Sequence, residues 1–87
     1  MFVILTYDIG AKRVSKIMKI CRKYLLHVQR SVFEGNITEA HLKKLKNELD
    51  REIEKNLDGI CIYEFDSTKY SRKEQIGLVT DYSNIID

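Results

Sequence analysis

The chain opens with a run of apolar and aromatic residues and then changes to a helical spacing. Met1–Tyr7 is almost continuously apolar, which predicts a central β-strand buried on both faces. After a hinge at Gly10, apolar residues recur at i, i+3, i+4, i+7 and i+11, which predicts a helix over Lys12–Leu26. These apolar positions are Val14, Ile17, Met18, Cys21 and Leu25.

The middle of the chain predicts a short hairpin followed by a second helix. His27–Ile37 has the composition of extended structure, and Gln29-Arg30-Ser31 can turn it into two strands. Thr38 can cap a helix with its hydroxyl, and the helix then has a regular leucine stripe. The stripe consists of Leu42, Leu45, Leu49 and Ile53.

The last third predicts two more strands. Asp58-Gly59 turns the chain into the strand Ile60–Phe65, and a weaker strand is predicted over Lys73–Val79. The order β, α, β, β, α, β is that of a ferredoxin-like α+β sandwich, in which two helices cover one face of a sheet. The sequence therefore predicts a single ferredoxin-like domain over residues 1–87, with an extra C-terminal strand.

The small size of this domain favours a homodimer. A chain of 87 residues buries only about 60% of its unfolded surface, which leaves it marginally stable alone. An open sheet edge also invites pairing with another chain. We therefore expect residues 72–87, the C-terminal strand and tail, to pack on the partner protomer.

The charge is distributed unevenly along the chain. Residues 1–33 carry seven basic and one acidic side chain, whereas residues 34–87 carry eight basic and twelve acidic ones. Four lysines share one face of the first predicted helix, and such a stripe is typical either of a phosphate-binding surface or of a solvated face. The stripe consists of Lys12, Lys16, Lys19 and Lys23, with Arg13 and Arg22 beside it.

The remaining composition indicates a protein of the cytoplasm. Apolar residues make up 44% of the chain, and no segment approaches the ~20 apolar residues that a membrane span requires. Cys21 and Cys61 have neither metal-site spacing nor a nearby histidine cluster, which favours two buried thiols in a reducing compartment.

Asp8 is the acidic residue that the first strand delivers to its end. One interpretation is a metal-binding carboxylate, and the other is the N-cap of the following helix. Tyr7 points to the opposite side of the strand, since successive residues alternate. It is therefore equally suited to a core or interface position.

Three segments together carry a resemblance to a known family. They are the strand ending in Tyr7-Asp8, the stretch Val28-Gln29-Arg30-Ser31-Val32-Phe33-Glu34-Gly35 before a Thr-capped helix, and the strand Ile60–Phe65. In these residues the chain resembles the CRISPR-associated protein two family, the small adaptation-module component found beside the CRISPR integrase. The likeness extends over the whole chain in order, length and spacing.

The resemblance implies a ferredoxin-like homodimer with magnesium-dependent nuclease activity in some members and a role in capturing foreign DNA. It implies that Asp8 is the catalytic and Mg²⁺-binding carboxylate, facing its symmetry mate. Tyr7, Ser31 and Phe33 match supporting positions. The expected nucleic-acid contacts are Lys12, Arg13, Lys16, Lys19, Lys23, His27 and Arg30, with His27 standing where many relatives carry Arg.

Three classes of function follow. The leading hypothesis is a homodimer that binds duplex DNA and bridges the integrase during spacer acquisition. The second is a metal-dependent endonuclease in its own right that cuts single-stranded RNA or duplex DNA through Asp8. The third is a toxin-like ribonuclease similar to the virulence-associated D proteins, or an unrelated ferredoxin-like regulatory domain that binds a small ligand and no duplex.

Overall fold

The computed structural model describes residues 1–67 and 70–78, and within these ranges five strands and two helices follow one another in the predicted order. The elements are β1 (Phe2–Asp8), α1 (Val14–Arg22), β2 (Leu26–Gln29), β3 (Val32–Asn36), α2 (Glu39–Glu52), β4 (Gly59–Ser67) and β5 (Tyr70–Gly77). The order confirms the ferredoxin-like α+β fold with an added strand.

The strands form one antiparallel sheet in the order β2-β3-β1-β4-β5. β1 lies at its centre, where Leu5 is paired with Phe33 on one side and Ile62 on the other. β5 is paired with β4 of the same chain. The predicted packing of residues 72–87 on a partner stays a prediction, and residues 79–87 lie outside the described part of the chain.

Both helices pack on one face of the sheet and bury a single apolar core. Burial alternates along the strands, so Val3 and Leu5 of β1 and Ile60, Ile62 and Glu64 of β4 face the helices, as the strand period requires. The helices contribute Ile17, Ile20 and Cys21 from α1 and Leu42, Leu45 and Leu49 from α2. Within the described ranges, neither helix has the length and apolar character of a membrane span.

On the opposite, helix-free face of the sheet, several described side chains are only partly buried. Phe2, Ile4 and Thr6 lie on it and are partly exposed, as are Cys61 and Tyr63 of β4. The prediction that β1 is buried on both faces is therefore wrong for the single chain, because α1 and α2 both occupy the other side.

Several element boundaries differ from the prediction. α1 ends at Arg22 because its last turn tightens, with the Lys23 N–H donating to the Ile20 carbonyl and the Tyr24 N–H to that of Cys21. The chain then enters β2 at Leu26. Lys12 lies in the turn before α1, not within the helix.

The start of α2 agrees with the prediction, whereas the start of β5 does not. The Thr38 hydroxyl caps α2 as expected and accepts the His41 N–H at 3.1 Å. β5 begins earlier than predicted, at Tyr70, and Val79 lies outside the described residues.

Two glycines let β4 and β5 approach closely at one end of the sheet. Gly59 is paired with Gly77, which has a φ of +87°. A Cβ on Gly59 would lie 2.3 Å from the Leu78 carbonyl oxygen, and one on Gly77 would lie 2.3 Å from that of Asp58. Only glycine fits at this end, which is the same end at which Asp8 closes β1.

Candidate functional site

Asp8 is the last residue of β1 and lies exposed at the edge of the helix-free face. It follows Ile4 and Thr6 on that face by strand alternation, and it is paired with Gly59 of β4. The alternative interpretation of Asp8 as a helix N-cap is wrong. The N-cap of α1 is Arg13, and no side chain caps that helix.

Tyr7 points to the helix side and holds the neighbouring β2–β3 turn. Its hydroxyl donates to the Arg30 carbonyl at 2.9 Å, and its backbone N–H donates to the Ser31 carbonyl at 3.1 Å. Burial raises the pKa of the Tyr7 phenol, so the hydroxyl keeps its proton and remains a donor. Tyr7 thus connects the end of β1 to the turn.

His27 and Phe33 complete this corner of the sheet. The two rings are stacked with centroids 4.6 Å apart, and the Tyr7 ring lies 6.1 Å from that of Phe33. Phe33 is fully buried in the core. His27 Nε2 lies 3.1 Å from the Arg30 carbonyl oxygen, so one of its two ring nitrogens is already engaged.

Asp58, which the sequence predicts only as part of a turn, is fully buried. Its carboxylate accepts hydrogen bonds from the Gly10 N–H at 2.9 Å and the Glu54 N–H at 2.8 Å. It also accepts two bonds from the Arg13 guanidinium, at 2.5 and 2.8 Å. These contacts join the loop after Asp8 to the loop before β4, although the ion pair spans 45 positions of sequence.

The ionisation of Asp58 follows from these donors. The Arg13 guanidinium holds the pKa of the Asp58 carboxyl far below its usual range, with further support from the two backbone N–H groups and against the cost of burial. The Arg13 side chain is 29% exposed and that of Asp58 is 0% exposed. Arg13 therefore has a structural role, and its predicted contact with nucleic acid stays a prediction.

Two of the four stripe lysines are neutralised by α2. Lys16 pairs with Glu52 at 3.0 Å, and Lys23 pairs with Glu48, which also accepts the Tyr24 hydroxyl at 2.5 Å. The hydrogen bond from Lys23 lowers the pKa of the Glu48 carboxyl. Periodicity could not show these pairs, because it places residues on a helix face without saying what packs opposite.

The remaining predicted cations are exposed and have no carboxylate partner among the side chains that the structure describes. They are Lys12, Lys19 and Arg30. Lys19 lines a groove of about 340 Å³ between α1 and α2, together with Lys16, Lys23 and Arg51. Ser31 is half-buried in the turn beside Tyr7.

Within the described part of the chain, a single protomer brings one carboxylate, that of Asp8, to the candidate metal site. No group of three or more His, Cys, Asp or Glu side chains with metal-site geometry occurs among the described residues. Mg²⁺ keeps several waters and is commonly held by one or two carboxylates plus substrate phosphates. Asp8 alone is a sparse donor set for Mg²⁺, and a second Asp8 from another copy of the chain would supply the second carboxylate.

The two cysteines differ in environment. Both are free thiols. Cys21 is buried in the core, and burial raises its pKa to about 12, so it stays protonated. Cys61 is half-buried on the helix-free face, which corrects the prediction of two buried thiols.

Comparison with known proteins points in one direction. A family model described as CRISPR associated protein Cas2 matches residues 1–73. The chain is 44% identical over 77 residues to a CRISPR-associated endoribonuclease Cas2 of Thermodesulfovibrio yellowstonii, with 88% of each chain covered. It is 40% identical to a protein of the same description from Methanosarcina acetivorans, over 99% of this chain and all of that one.

Solved structures agree with the sequence relatives. A crystal structure titled cas2 superposes with a TM-score of 0.74 at 32% identity and covers 95% of this chain and 91% of its own. The Cas2 structure of Streptococcus pyogenes gives a TM-score of 0.71 at 32% identity, over 78% of this chain and 89% of that one. Both the sheet and its two helices therefore have counterparts in proteins of that description.

Proposed function

The chain belongs to the CRISPR-associated protein Cas2 family, and on this premise we propose that it acts in the cytoplasm as a homodimer that binds duplex DNA and bridges the CRISPR integrase during spacer acquisition. The observation that carries the proposal is the set of exposed cations around the Asp8 end and along α1 that have no carboxylate partner among the described side chains. The proposal has two parts, the dimer and the duplex contact.

The helix-free face supports the dimer. It carries Phe2, Ile4, Tyr63 and Phe65, and Phe65 is 38% exposed in the single chain. Two such faces can pack against one another about 10 Å apart, as sheets do in sandwiches. Because Asp8 lies at the edge of the same face, this packing can bring two copies of Asp8 together.

Exposed cations support the duplex contact. Lys12, Lys19 and Arg30 are exposed and pair with none of the described carboxylates, whereas Lys16 and Lys23 would first have to leave their glutamates. Phosphate contacts orient a duplex without distinguishing its sequence. Binding is therefore expected to tolerate sequence and to weaken steeply with salt.

The duplex contact is tested by neutralising these cations. We expect Lys12→Gln, Lys19→Gln and Arg30→Gln together to lower the affinity for a duplex and to reduce the dependence of log K on log salt by about 0.9 for each lost contact. Fluorescence anisotropy between low and moderate salt measures both quantities. The matched control replaces Lys43, Lys44 and Lys55 of the α2 region with Gln.

The control separates local contact from overall charge. Equal loss of affinity in both triple variants would attribute binding to net charge and contradict the proposed surface. Absence of duplex binding by the unaltered protein at either salt would favour the small-ligand regulatory domain.

A second candidate function is metal-dependent endonuclease activity through Asp8, on RNA or DNA. Its support is the exposed position of Asp8 on the face proposed for dimerisation, together with relatives that are named endoribonucleases. Two copies of Asp8 would hold Mg²⁺, which when bound polarises a phosphate and activates water. Tyr7 and Ser31 would fix the strand end from which Asp8 projects.

Asp8→Asn distinguishes the two functions. Because Asp8 is exposed, we expect the variant to fold with nearly unchanged stability and to keep its duplex affinity. It should lose magnesium-dependent cleavage of RNA and DNA, measured with purified protein, if Asp8 is catalytic. Spacer acquisition with the integrase partner should persist if the protein acts as an adaptor, and its loss would contradict that role.

A further inference from the structure

The turn between β2 and β3 is held in an unusual way. It contains two residues, Arg30 and Ser31, between the paired residues Gln29 and Val32. Two-residue hairpin turns favour types with positive φ, yet no non-glycine residue of the described chain has a positive φ. The register of β2 shifts between His27 and Gln29, so an irregularity beside the turn absorbs the mismatch.

Two-residue turns of different type differ in the orientation of the peptide group between their two central residues. The Arg30 carbonyl belongs to this peptide, whose reversal would convert one turn type into another and require a positive φ at Ser31. Serine reaches that region only at an energetic cost, so the reversed turn is the less stable alternative to the observed one. Fixing the Arg30 carbonyl therefore fixes the turn.

Two side chains donate to this one carbonyl. The Tyr7 hydroxyl lies 2.9 Å from it and His27 Nε2 lies 3.1 Å from it. A carbonyl oxygen only accepts, so His27 carries a hydrogen on Nε2 in this arrangement. Because both rings pack on the buried Phe33, the two donors are anchored to the core.

We propose that Tyr7 and His27 are positioning residues that clamp the Arg30 carbonyl and so hold the Arg30 side chain beside the Asp8 end of β1, where it binds a phosphate of the nucleic acid. The inference rests on the proposed function and assigns its phosphate contact at this corner. His27 acts through Arg30, since Nε2 is committed to the turn. Arg30 is exposed and has no described carboxylate partner.

The test uses substitutions that remove one donor and keep the ring. Tyr7→Phe and His27→Phe retain packing on Phe33, and Tyr24→Phe is the matched control, because it removes a hydroxyl that donates to Glu48 on the helix side. Amide hydrogen exchange at Ser31 and Val32 monitors the turn without any nucleic acid. Exchange should rise in the first two variants and stay unchanged in the control.

Duplex affinity then shows whether the clamp acts through Arg30. We expect Arg30→Gln to weaken binding roughly fivefold and Tyr7→Phe or His27→Phe roughly twofold to threefold. In the Arg30→Gln background, the two ring variants should cause no further loss. A twofold loss that persists in that background, or unchanged exchange at Ser31 and Val32, overturns the clamp.

The outcomes also separate this inference from the proposed function. If Arg30→Gln weakens binding while Tyr7→Phe and His27→Phe bind like the unaltered protein, the clamp is wrong and duplex binding stands. If the unaltered protein binds no duplex, the proposed function and the phosphate role of Arg30 both fail, whatever the exchange rates show.

Discussion

At the scale of single residues, Asp58 determines how the end of the sheet is held. Its carboxylate accepts hydrogen bonds from Gly10, Arg13 and Glu54, which belong to two different loops. A buried carboxylate with this many donors is stabilising only while all of these donors are present. Removing its charge leaves the guanidinium and the backbone N–H groups without their full hydrogen bonds.

We therefore expect Asp58→Asn to lower the free energy of unfolding at neutral pH by about 3 kcal/mol. Urea denaturation at constant m measures the change. The matched control is Asp50→Asn, which removes an exposed carboxylate paired with Lys55 and should change stability by less than about 1 kcal/mol. Equal effects of the two substitutions would contradict a special role for Asp58.

The depressed pKa of Asp58 makes the stability of the protein depend on pH. Because the folded-state pKa of Asp58 is depressed, its contribution is fully present above the unfolded pKa of about 3.9 and is lost as pH falls toward the folded value. The stability difference between the unaltered protein and Asp58→Asn should thus shrink by about 1 kcal/mol between pH 4 and pH 3. A difference that stays constant down to pH 3 would refute the depressed pKa.

The sequence could not show this ion pair. Asp58-Gly59 has an ordinary turn composition, and nothing local connects it with Arg13 at a separation of 45 residues. The position of Asp8 at the end of β1, by contrast, could be predicted from the sequence alone, because the alternation of the strand determines the face on which its last residue lies.

At the scale of elements, the acidic residues of α2 moderate the basic face of α1. Glu52 and Glu48 each occupy one lysine of the stripe. The free charge of the stripe is therefore smaller than its sequence indicates, and the lysines between the helices are partly shielded.

Glu48→Gln combined with Glu52→Gln should release Lys16 and Lys23 and raise duplex affinity, with a steeper dependence on salt. The control, Glu39→Gln with Asp50→Asn, changes the net charge by the same amount on α2 without freeing either stripe lysine. Anisotropy titrations at several salt concentrations compare the pairs. A control that gains as much affinity as the test variant would show that only overall charge matters.

The elements themselves could be predicted because their apolar periods are clear. Thr38 and the leucine stripe determine α2, and alternation determines β4. The end of α1 could not be predicted, since Leu25 and Leu26 look alike in sequence. The fold buries Leu25 and leaves Leu26 71% exposed at the start of an edge strand.

At the scale of the whole molecule, the half-covered face of the sheet is the main unexplained surface of the single chain. Helical periodicity showed where two helices lie but not what covers the far side of the sheet. Under the proposed dimer, a second copy of the chain would cover this face.

The reactivity of the Cys61 thiol measures whether this surface is covered. In the dimer its thiol should be protected, so alkylation by a maleimide should slow as protein concentration rises through the dimer dissociation constant. Cys21 should stay unreactive throughout, because it is buried and its pKa is raised to about 12. Mass spectrometry of the labelled peptides distinguishes the two residues.

A substitution on the same face provides the control. Phe65→Lys should keep Cys61 reactive at all concentrations, whereas Leu57→Lys, at an exposed loop position, should not. A reaction rate of Cys61 that is independent of concentration in the unaltered protein would contradict dimerisation through this face.

The position of Asp58 also has a mechanical consequence. Its carbonyl accepts the Leu78 N–H at 2.7 Å at the end of β5, while its carboxylate accepts the Gly10 N–H at 2.9 Å in the loop after Asp8. A pulling force applied to β5 would therefore reach the loop after Asp8 through Asp58 and these two hydrogen bonds. Asp58 therefore links the end of β5 directly to the loop that follows Asp8.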